Sequence, residues 1–283
     1  MKSNVLVVAL LFSVLSVFNI DAQTFNKQTD FLLANFDLKP DEDDVMAAAA
    51  FASMLAHPDF DKLNYYVVAG AYGDQDHLFI TSAVPKYFNV LFGAENRRWT
   101  NAHEHWNESV RRVKNKVIPI LKSGGNVFVQ EAGQSNITYD VLQAVLAEGI
   151  TPTTIKKQVI IVQHSRYNEK NTTPEELEWL KDNTVYKKID DGNTSDNKTP
   201  GYRTKDNKWL DLAKSDNNPN VATRKIWTAA DKVCDEWVGD WTNKWIAVGG
   251  IDFSDCVENW YIFNLGKEAN DIESFWNKYV INE

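Results

Sequence analysis

Apolar segments of two alternating kinds are the feature of this chain that most restricts its fold. A strand-like segment, DFLLANF, is followed by an alanine-rich, helix-like run, MAAAAFASMLA, and then by a second strand-like segment, LNYYVVAG. The short apolar segments have the length of buried strands, whereas the alanine-rich run has the length and composition of a helix. Strand, helix and strand in this order predict a βαβ unit with two parallel strands.

The same alternation continues along the chain. A long helical region is predicted from 77 to about 122, with breaks near Gly93 and Trp99. Strands are predicted at NVFVQ, QVIIVQ and VYKKI, and helices at TYDVLQAVLAEG, at TPEELEWLKDN, and at about 222–238, 255–263 and 272–280. The predicted fold class is α/β: a Rossmann-like open, mainly parallel sheet with helices on both faces.

Two segments depart from this alternation. Residues 1–22 contain a lysine, an apolar run from Val5 to Phe18 and a small residue, Ala22, at a suitable cleavage position, which together predict a secretory signal peptide. Residues 23–283 are expected to form a single domain with a long polar loop at about 190–220. The protein is therefore expected to be secreted or periplasmic, with no membrane partner after the signal peptide is removed.

The charge of the chain argues against one class of partner. Its formal net charge is -9, and nucleic-acid binding needs a basic face that neutralises phosphates. The one basic cluster consists of Arg111, Arg112, Lys114 and Lys116, which we interpret as the solvated side of a helix. No nucleic-acid partner is expected, and the oligomeric state stays open.

The two cysteines of the chain leave an alternative open. Cys234 and Cys256 are the only cysteines in the sequence, so they cannot form a closed zinc site on their own. In an exported protein they could form a disulfide, or they could remain two buried thiols.

An acidic cluster follows the first predicted strand in the stretch NFDLKPDEDDVM. Ligands of an open parallel sheet bind beyond the carboxyl ends of its strands, where Asp37 is expected. One interpretation places Asp37 and Asp44 around Ca²⁺, with Asp43 facing a bound water. The other makes Asp41 the helix N-cap, with the following acids complementing the helix dipole and Asp37 a solvated turn residue.

These residues resemble the start of the nucleoside hydrolase superfamily, including its exported, poorly characterised members. The hallmark of that family is an aspartate followed by an Asp-Asp pair at the end of the first strand. Three later segments resemble the family's central strand, a strand end that supplies an asparagine, and its last metal aspartate: VFVQEAGQSNITYDVLQAVL, IIVQHSRYNEKNTTPEEL and GGIDFSDCVENWYIFNLG.

The resemblance implies a set of site residues and a cofactor, Ca²⁺. The implied metal ligands are Asp37, Asp44, Gln130 and Asp255, with Asp252 as the rival of Asp255; Asp43 is the implied catalytic base; Asn168, His164 and Asp74 are the implied substrate-binding residues. Asp255 could alternatively be a helix N-cap. Ala71 stands where the family has an asparagine, with Asp74 and Gln75 as substitutes, and no residue is identified as the acid for the leaving group.

The function implied by the resemblance is a Ca-dependent hydrolase of N-ribosidic or related glycosidic bonds, which uses an aspartate-activated, metal-bound water. Its partner would be a small-molecule sugar or nucleoside. The alternative is a non-catalytic exported carbohydrate- or nucleoside-binding protein, for which the aromatic run WVGDWTNKW would suit stacking on sugars. Trp237, Trp241 and Trp245 recur every four residues, however, which also fits one packed face of a helix.

Overall fold

A computed structural model describes residues 23–194 and 197–282 of the chain. Within these residues, one sheet of six parallel strands has the order β3-β2-β1-β4-β5-β6. Its strands are β1 Phe31–Phe36, β2 Tyr65–Ala69, β3 Trp99–Asn101, β4 Val127–Ala132, β5 Val159–Gln163 and β6 Val185–Lys188. The predicted α/β fold class is confirmed, and the sheet is parallel throughout. The signal peptide predicted at residues 1–22 lies outside the described residues.

Helices connect the strands and continue to the C-terminal end of the described chain. They are α1 Asp43–Ala56, α2 Lys86–Phe92, α3 Trp106–Lys122, α4 Asn136–Ala147, α5 Pro152–Gln158, α6 Arg166–Asn171, α7 Pro174–Asn183, α8 Lys208–Lys214, α9 Val221–Glu236, α10 Val257–Ile262 and α11 Ile272–Phe275. None of the helices in the described part of the chain has the length and apolarity needed to span a bilayer.

Both faces of the sheet are buried under helices. Alternate residues of β1 point to opposite faces, so that Leu32 and Phe36 join one apolar core and Phe31 and Leu33 join the other. The first core contains α1 and α9, and the second contains apolar residues of α3, α4, α5 and α7. Because both faces are covered, the strands β1, β2 and β5 are nearly continuous apolar runs, as expected for a parallel sheet.

The alanines of α1 allow it to pack closely between the sheet and α9. Residues 47–50 are all alanine and all fully buried, and alanine combines the highest helix propensity with a small volume. The helix begins at Asp43, after Glu42. Asp41 is therefore not the N-cap, contrary to one sequence interpretation, and its carboxylate instead accepts a hydrogen bond from the Asn243 side chain at 3.1 Å.

The C-terminal third differs from the sequence prediction in two places. The polar loop predicted at about 190–220 contains α8 and a short strand, β7 (Arg203–Thr204), which pairs antiparallel with β8 (Ile251–Asp252). Helix α9 ends at Glu236, so the three tryptophans at 237, 241 and 245 lie beyond it and do not form one helix face.

Cys234 and Cys256 are both buried free thiols. This resolves the alternative that the sequence left open: the disulfide is not formed, and the two buried thiols are. The sulfur of Cys256 lies 3.9 Å from the Met54 sulfur, so this thiol packs as an apolar residue.

The strand order creates a switch point between β1 and β4. These neighbours pair in parallel, with Phe36 opposite Ala132, and the chain leaves them towards different sides of the sheet, which opens a crevice at their carboxyl ends. Gly133 allows the two strand ends to approach, because a Cβ there would lie 2.5 Å from the Ala71 carbonyl oxygen and 3.0 Å from the Asp37 Cβ. The sequence places its acidic cluster at this crevice.

Candidate functional site

A cavity of about 210 Å³ opens at the switch point of the sheet. Three of the aspartates that line it, Asp37, Asp43 and Asp255, are ones that the sequence had selected, and Asn168 lies on the same wall. They come from the end of β1, the start of α1, the segment after β8, and α6. Residues separated by more than 200 positions in sequence thus meet in a single cavity, which we call the acid cavity.

Hydrogen bonds shape the loop between β1 and α1. The backbone N–H of Lys39 donates to Oδ1 of Asp37 at 2.9 Å, and the backbone N–H of Leu38 donates to Oδ2 of Asp44 at 2.5 Å. Leu38 adopts a left-handed backbone with φ of 58°, which turns the chain back towards the sheet. Asp44 is fully buried, and its Oδ1 receives no hydrogen bond from an N–H or hydroxyl donor among the described residues, while its carboxyl group lies within hydrogen-bonding range of that of Asp37.

The carboxyl groups of the acid cavity resist ionisation. Burial raises the pKa of Asp37 to about 7, and the charge of Asp41 adds to this effect, although hydrogen bonds from Asp44 and Lys39 oppose it. Burial, followed by the charges of neighbouring carboxylates, raises the pKa of Asp43 and Asp44 well above the usual range. Such a cluster favours either bound protons or a bound cation.

The pKa of Asp255 is raised by the same causes. Burial is the largest, the nearby imidazole of His164 lowers the value, and the charges of Glu258 and Asp37 raise it again. Asp37 and Asp255 therefore act on each other across the cavity although they come from opposite ends of the chain. This electrostatic coupling links the acidic cluster after β1 to the acid after β8.

The carboxylate oxygens of the acid cavity are suitable ligands for a hard cation, but they are not positioned to bind one. Carboxylates are the preferred ligands of Ca²⁺, and the free Oδ1 of Asp44 is a buried acceptor that a cation could use. Among residues 23–194 and 197–282, however, no group of three or more His, Cys, Asp or Glu side chains is placed so that it could hold a metal ion. A cation would have to draw these oxygens closer together than they lie.

Asp255 and its rival Asp252 have different surroundings. Asp255 lies in a short helical turn, Ser254–Cys256, and lines the acid cavity. Asp252 instead accepts hydrogen bonds from the Ser254 hydroxyl at 2.7 Å and from the Asn243 side chain at 3.1 Å. Since α10 begins after Cys256, Asp255 is not the N-cap of that helix. Of the two acids, Asp255 is the one that faces the cavity.

Gln130 supports Asp255 and does not itself reach the cavity. Its side-chain amide donates to the backbone carbonyl of Asp255 at 3.0 Å, and its Oε1 accepts from the Asn259 side chain at 3.1 Å. Ala132, at the end of the same strand, is the residue of β4 that lines the cavity. The structure therefore places Gln130 behind the site.

His164 also lies behind the cavity wall, where it is fully buried. Its Nδ1 lies 2.6 Å from Oε1 of Glu258, and its Nε2 lies 3.5 Å from Oδ1 of Asp255. Burial alone would lower the pKa of His164, but the charge and hydrogen bond of Glu258, followed by the charge of Asp255, raise it to about 9. His164 thus lies among three acids, Glu258, Asp255 and, at 4.0 Å, Asp191, which together favour its protonated form.

The remaining sequence candidates are divided between the cavity and the surface. Asn168 is buried and lines the cavity, whereas Asp74 lies outside it and accepts a hydrogen bond from the Thr173 hydroxyl at 3.3 Å. Gln75 is closer to the site, because its backbone carbonyl accepts from the Lys39 ammonium at 2.9 Å. Ala71 is fully buried in one of the apolar cores.

Lys39, Tyr167 and Trp241 are among the cavity-lining residues that sequence reasoning did not assign to the site. The ammonium of Lys39 lies 3.6 Å from the centre of the Tyr72 ring, and burial lowers its pKa. Trp241 is 50% exposed, and its ring centroid lies 6.0 Å from that of Tyr167. The tryptophan-rich run was the available signal for Trp241, but its four-residue spacing suggested a helix.

The arrangement has the parts of a polar binding site at the usual place in such a sheet. Its lining contains several carboxyl groups, the Lys39 ammonium, the Asn168 side chain and the aromatic rings of Tyr167 and Trp241. Because function depends on such a site and not on the fold that carries it, the residues of the cavity are the basis for a functional assignment. Comparison with known proteins finds no matching family model, no matching curated protein and no matching solved structure.

Proposed function

We propose that this chain is a Ca-dependent hydrolase of N-ribosidic or related glycosidic bonds, acting in the acid cavity. The observation that carries the proposal is the meeting of Asp37, Asp43, Asp255 and Asn168 at the carboxyl end of the β1–β4 switch point. These are four of the eight site residues implied by the sequence resemblance to the nucleoside hydrolase superfamily; the other four, Asp44, Gln130, His164 and Asp74, do not line the cavity. Export of the protein remains a prediction from residues 1–22.

Asp43 is the proposed general base. It stands at the first position of α1 and borders the cavity, and its own side-chain Oδ1 accepts a hydrogen bond from the backbone N–H of Asp44 at 2.8 Å. This bond orients the carboxyl group, which also lies within hydrogen-bonding range of the Asp41 carboxyl group. A raised pKa makes a carboxylate a stronger base towards a water molecule once it is ionised.

The other cavity residues are suited to binding and to charge stabilisation. Cleavage of a glycosidic bond passes through an oxocarbenium-like transition state, whose positive charge nearby carboxylates of the acid cavity would stabilise. The side-chain amide of Asn168 can hydrogen-bond sugar hydroxyls. A volume of about 210 Å³ is below the range of roughly 300–1,000 Å³ typical of drug-sized ligands, so the cavity suits a single sugar ring.

Calcium would neutralise the repulsion between the carboxylates. Asp37, Asp44 and Asp255 are the proposed ligands, and bound Ca²⁺ would supply orientation of sugar hydroxyls and a lower pKa for its bound water. Cation binding would also displace the protons that these carboxyl groups hold because their pKa values are raised.

A hydrolysis screen tests the proposal. The purified protein with Ca²⁺ is incubated with nucleosides, aryl ribosides and oligosaccharides, and free sugar is measured. We expect release of free sugar from at least one of these substrate classes, and a decrease on the order of 10²–10⁴ in rate for Asp43→Asn. Equal rates for the wild-type protein and Asp43→Asn would refute Asp43 as the base.

A second candidate function is a carbohydrate- or nucleoside-binding protein without turnover. It is favoured by the aromatic edge formed by Trp241 and Tyr167, because such rings stack on sugar faces or on bases. The same screen separates the two functions. A rise in melting temperature with a sugar, in the absence of any free sugar released, would support the binding protein.

A further inference from the structure

A second cavity lies apart from the acid cavity, on the side of the sheet that is covered by α3. It has a volume of about 280 Å³ and is lined by Tyr66 of β2, Asn96, and four residues of α3: Arg111, Arg112, Asn115 and Lys116. None of these residues lines the acid cavity. We call this second cavity the basic cleft.

The basic cleft concentrates positive charge on an acidic protein. The chain has a net charge of -9, yet Arg98, Arg112 and Lys116 lie close enough for their charges to act on one another. Glu108 is the acid that balances part of this charge, through contacts with Arg111 at 2.5 Å and Arg112 at 2.7 Å. Glu95 is the second acid whose charge acts on Tyr66, so two carboxylates stand against four cationic side chains, and the cleft keeps an excess of positive charge.

Lys116 shows the effect of this excess directly. Its ammonium lies 4.6 Å from the centre of the Tyr66 ring, which holds it partly inside the cleft. Burial lowers the pKa of Lys116, and the positive charges of Arg98 and Arg112 lower it further. A solvated lysine on an open helix face would not be held against like charges in this way, so the sequence interpretation of a simple solvated helix side accounts for only part of the cluster.

Arg112 provides a second, independent observation. Its Nε is buried and has no hydrogen-bond acceptor among the described residues. An arginine carries five N–H donors in a planar fork, and a buried donor without a partner costs free energy. The Glu108 carboxylate occupies only one end of this fork, so donor capacity remains for a further acceptor.

We propose that the basic cleft is an oxyanion-binding site for a phosphate or sulfate group. Arginine forks match the geometry of such groups, and a lysine adds a compact charge. The side chains of Asn96 and Asn115 supply further donors at the rim. The ligand is a small molecule or sugar that carries the oxyanion, because the cleft is a local cavity and not a long basic track.

Calorimetry with inorganic phosphate tests the proposal directly. Sodium phosphate is titrated into the full chain without Ca²⁺, with sodium chloride at equal ionic strength as the reference, because salt alone screens charges. We expect saturable binding of phosphate and none of chloride. In a second arm, glucose 6-phosphate replaces phosphate; tighter binding in this arm identifies a phosphorylated sugar as the source of the group, and equal binding identifies the free anion.

Two single-charge variants of the same helix separate a site from a general charge effect. Lys116→Gln removes a cation that lines the cleft, whereas Lys114→Gln removes one that pairs with Glu148 at 2.5 Å outside it. We expect Lys116→Gln to weaken phosphate binding by about tenfold, as for the loss of one charge-assisted hydrogen bond, and Lys114→Gln to leave it unchanged. Melting temperatures establish that both variants are folded.

Two results would overturn the proposal. One is phosphate binding indistinguishable from that of chloride at the same ionic strength. The other is an equal loss of phosphate affinity in Lys114→Gln and Lys116→Gln, because the effect would then depend on net charge alone.

Discussion

Nδ1 of His164 lies 2.6 Å from Oε1 of Glu258, and both side chains are fully buried. The same carboxylate oxygen also accepts the backbone N–H of His164 at 3.0 Å. This buried pair lies directly behind Asp255, whose carboxylate is 3.5 Å from the other imidazole nitrogen. A side chain predicted to bind substrate is therefore part of the support for a cavity acid.

Replacing Glu258 by Gln should destabilise the fold strongly at pH 6. Removal of one partner of a buried ion pair typically costs about 3–5 kcal/mol, because the other charge stays buried without compensation. Urea denaturation measures the loss. Glu148→Gln is the control, since Glu148 is an exposed acid that pairs with Lys114 and should cost little. Equal losses in the two variants would contradict this account.

The buried His164–Glu258 pair also predicts how the stability of the fold depends on pH. The pKa of His164 in the folded protein is about 9, above the value of about 6.5 in an unfolded chain. The protonated imidazole therefore contributes stability that is fully present below pH 6.5 and is lost as the pH rises through 9. Glu258→Gln should lack this loss, and denaturation curves at pH 6, 7.5 and 9 would reveal it.

Glu131 predicts a second decrease of stability with rising pH. Burial raises its pKa to about 8, against the effect of hydrogen bonds with Asn35 and Thr138. The folded protein then holds a proton that the unfolded chain releases near pH 4.5, so stability falls as the pH rises from 4.5 through 8. Each pH unit between the two pKa values corresponds to about 1.4 kcal/mol.

The Glu131→Gln variant tests this directly. Glutamine has the shape of the protonated acid: its Oε1 can accept from the Asn35 amide, and its NH2 group, like the O–H of the acid, can donate to the Thr138 hydroxyl. We expect it to raise the free energy of unfolding at pH 8 and to flatten the curve between pH 5 and 8. A variant with the same pH dependence as the wild-type protein would show that Glu131 does not hold the proton.

Trp241 should contribute to ligand binding and not to stability. Its ring is half exposed at the edge of the acid cavity, where a sugar or a base could stack on it. Trp241→Ala should weaken binding of the active ligand by about tenfold, a change of about 1.4 kcal/mol, with a melting temperature close to that of the wild-type protein. Val248→Ala, which truncates another exposed apolar residue, is the control and should bind normally.

Much of the fold could be predicted because the strands and the longest helices have clear sequence patterns. β1, β2 and α1 are apolar segments of the right length with sharp polar boundaries. β3 was missed because it has only three residues, Trp99–Asn101, and gains its place by pairing with β2. The predicted helix extended past the end of α9, because the tryptophan spacing continues the helical period beyond Glu236.

The candidate site could be predicted only in part, for a related reason. Strand ends in a parallel sheet meet at one edge, so Asp37 and Asp43 could be placed there from sequence, whereas Asp255 and Asn168 were grouped with them only through the family resemblance. Lys39 and Trp241 enter the cavity through loop conformations that no periodic pattern encodes. Gln130 lies behind the site because the segment after β8 packs against β4. These two segments are more than 100 residues apart in the sequence, so their contact could not be predicted from it.

Calcium binding measured by calorimetry tests the central proposal most directly. At pH 7, in two buffers with different ionisation enthalpies, we expect Ca²⁺ to bind with release of protons, because the pKa of Asp37 is about 7 and ligands must lose their protons. Asp44→Asn, which keeps an acceptor for Leu38, should abolish binding, while Asp74→Asn outside the cavity should not. Unchanged Ca²⁺ affinity in Asp44→Asn, or the absence of binding to the wild-type protein, would contradict the proposed site.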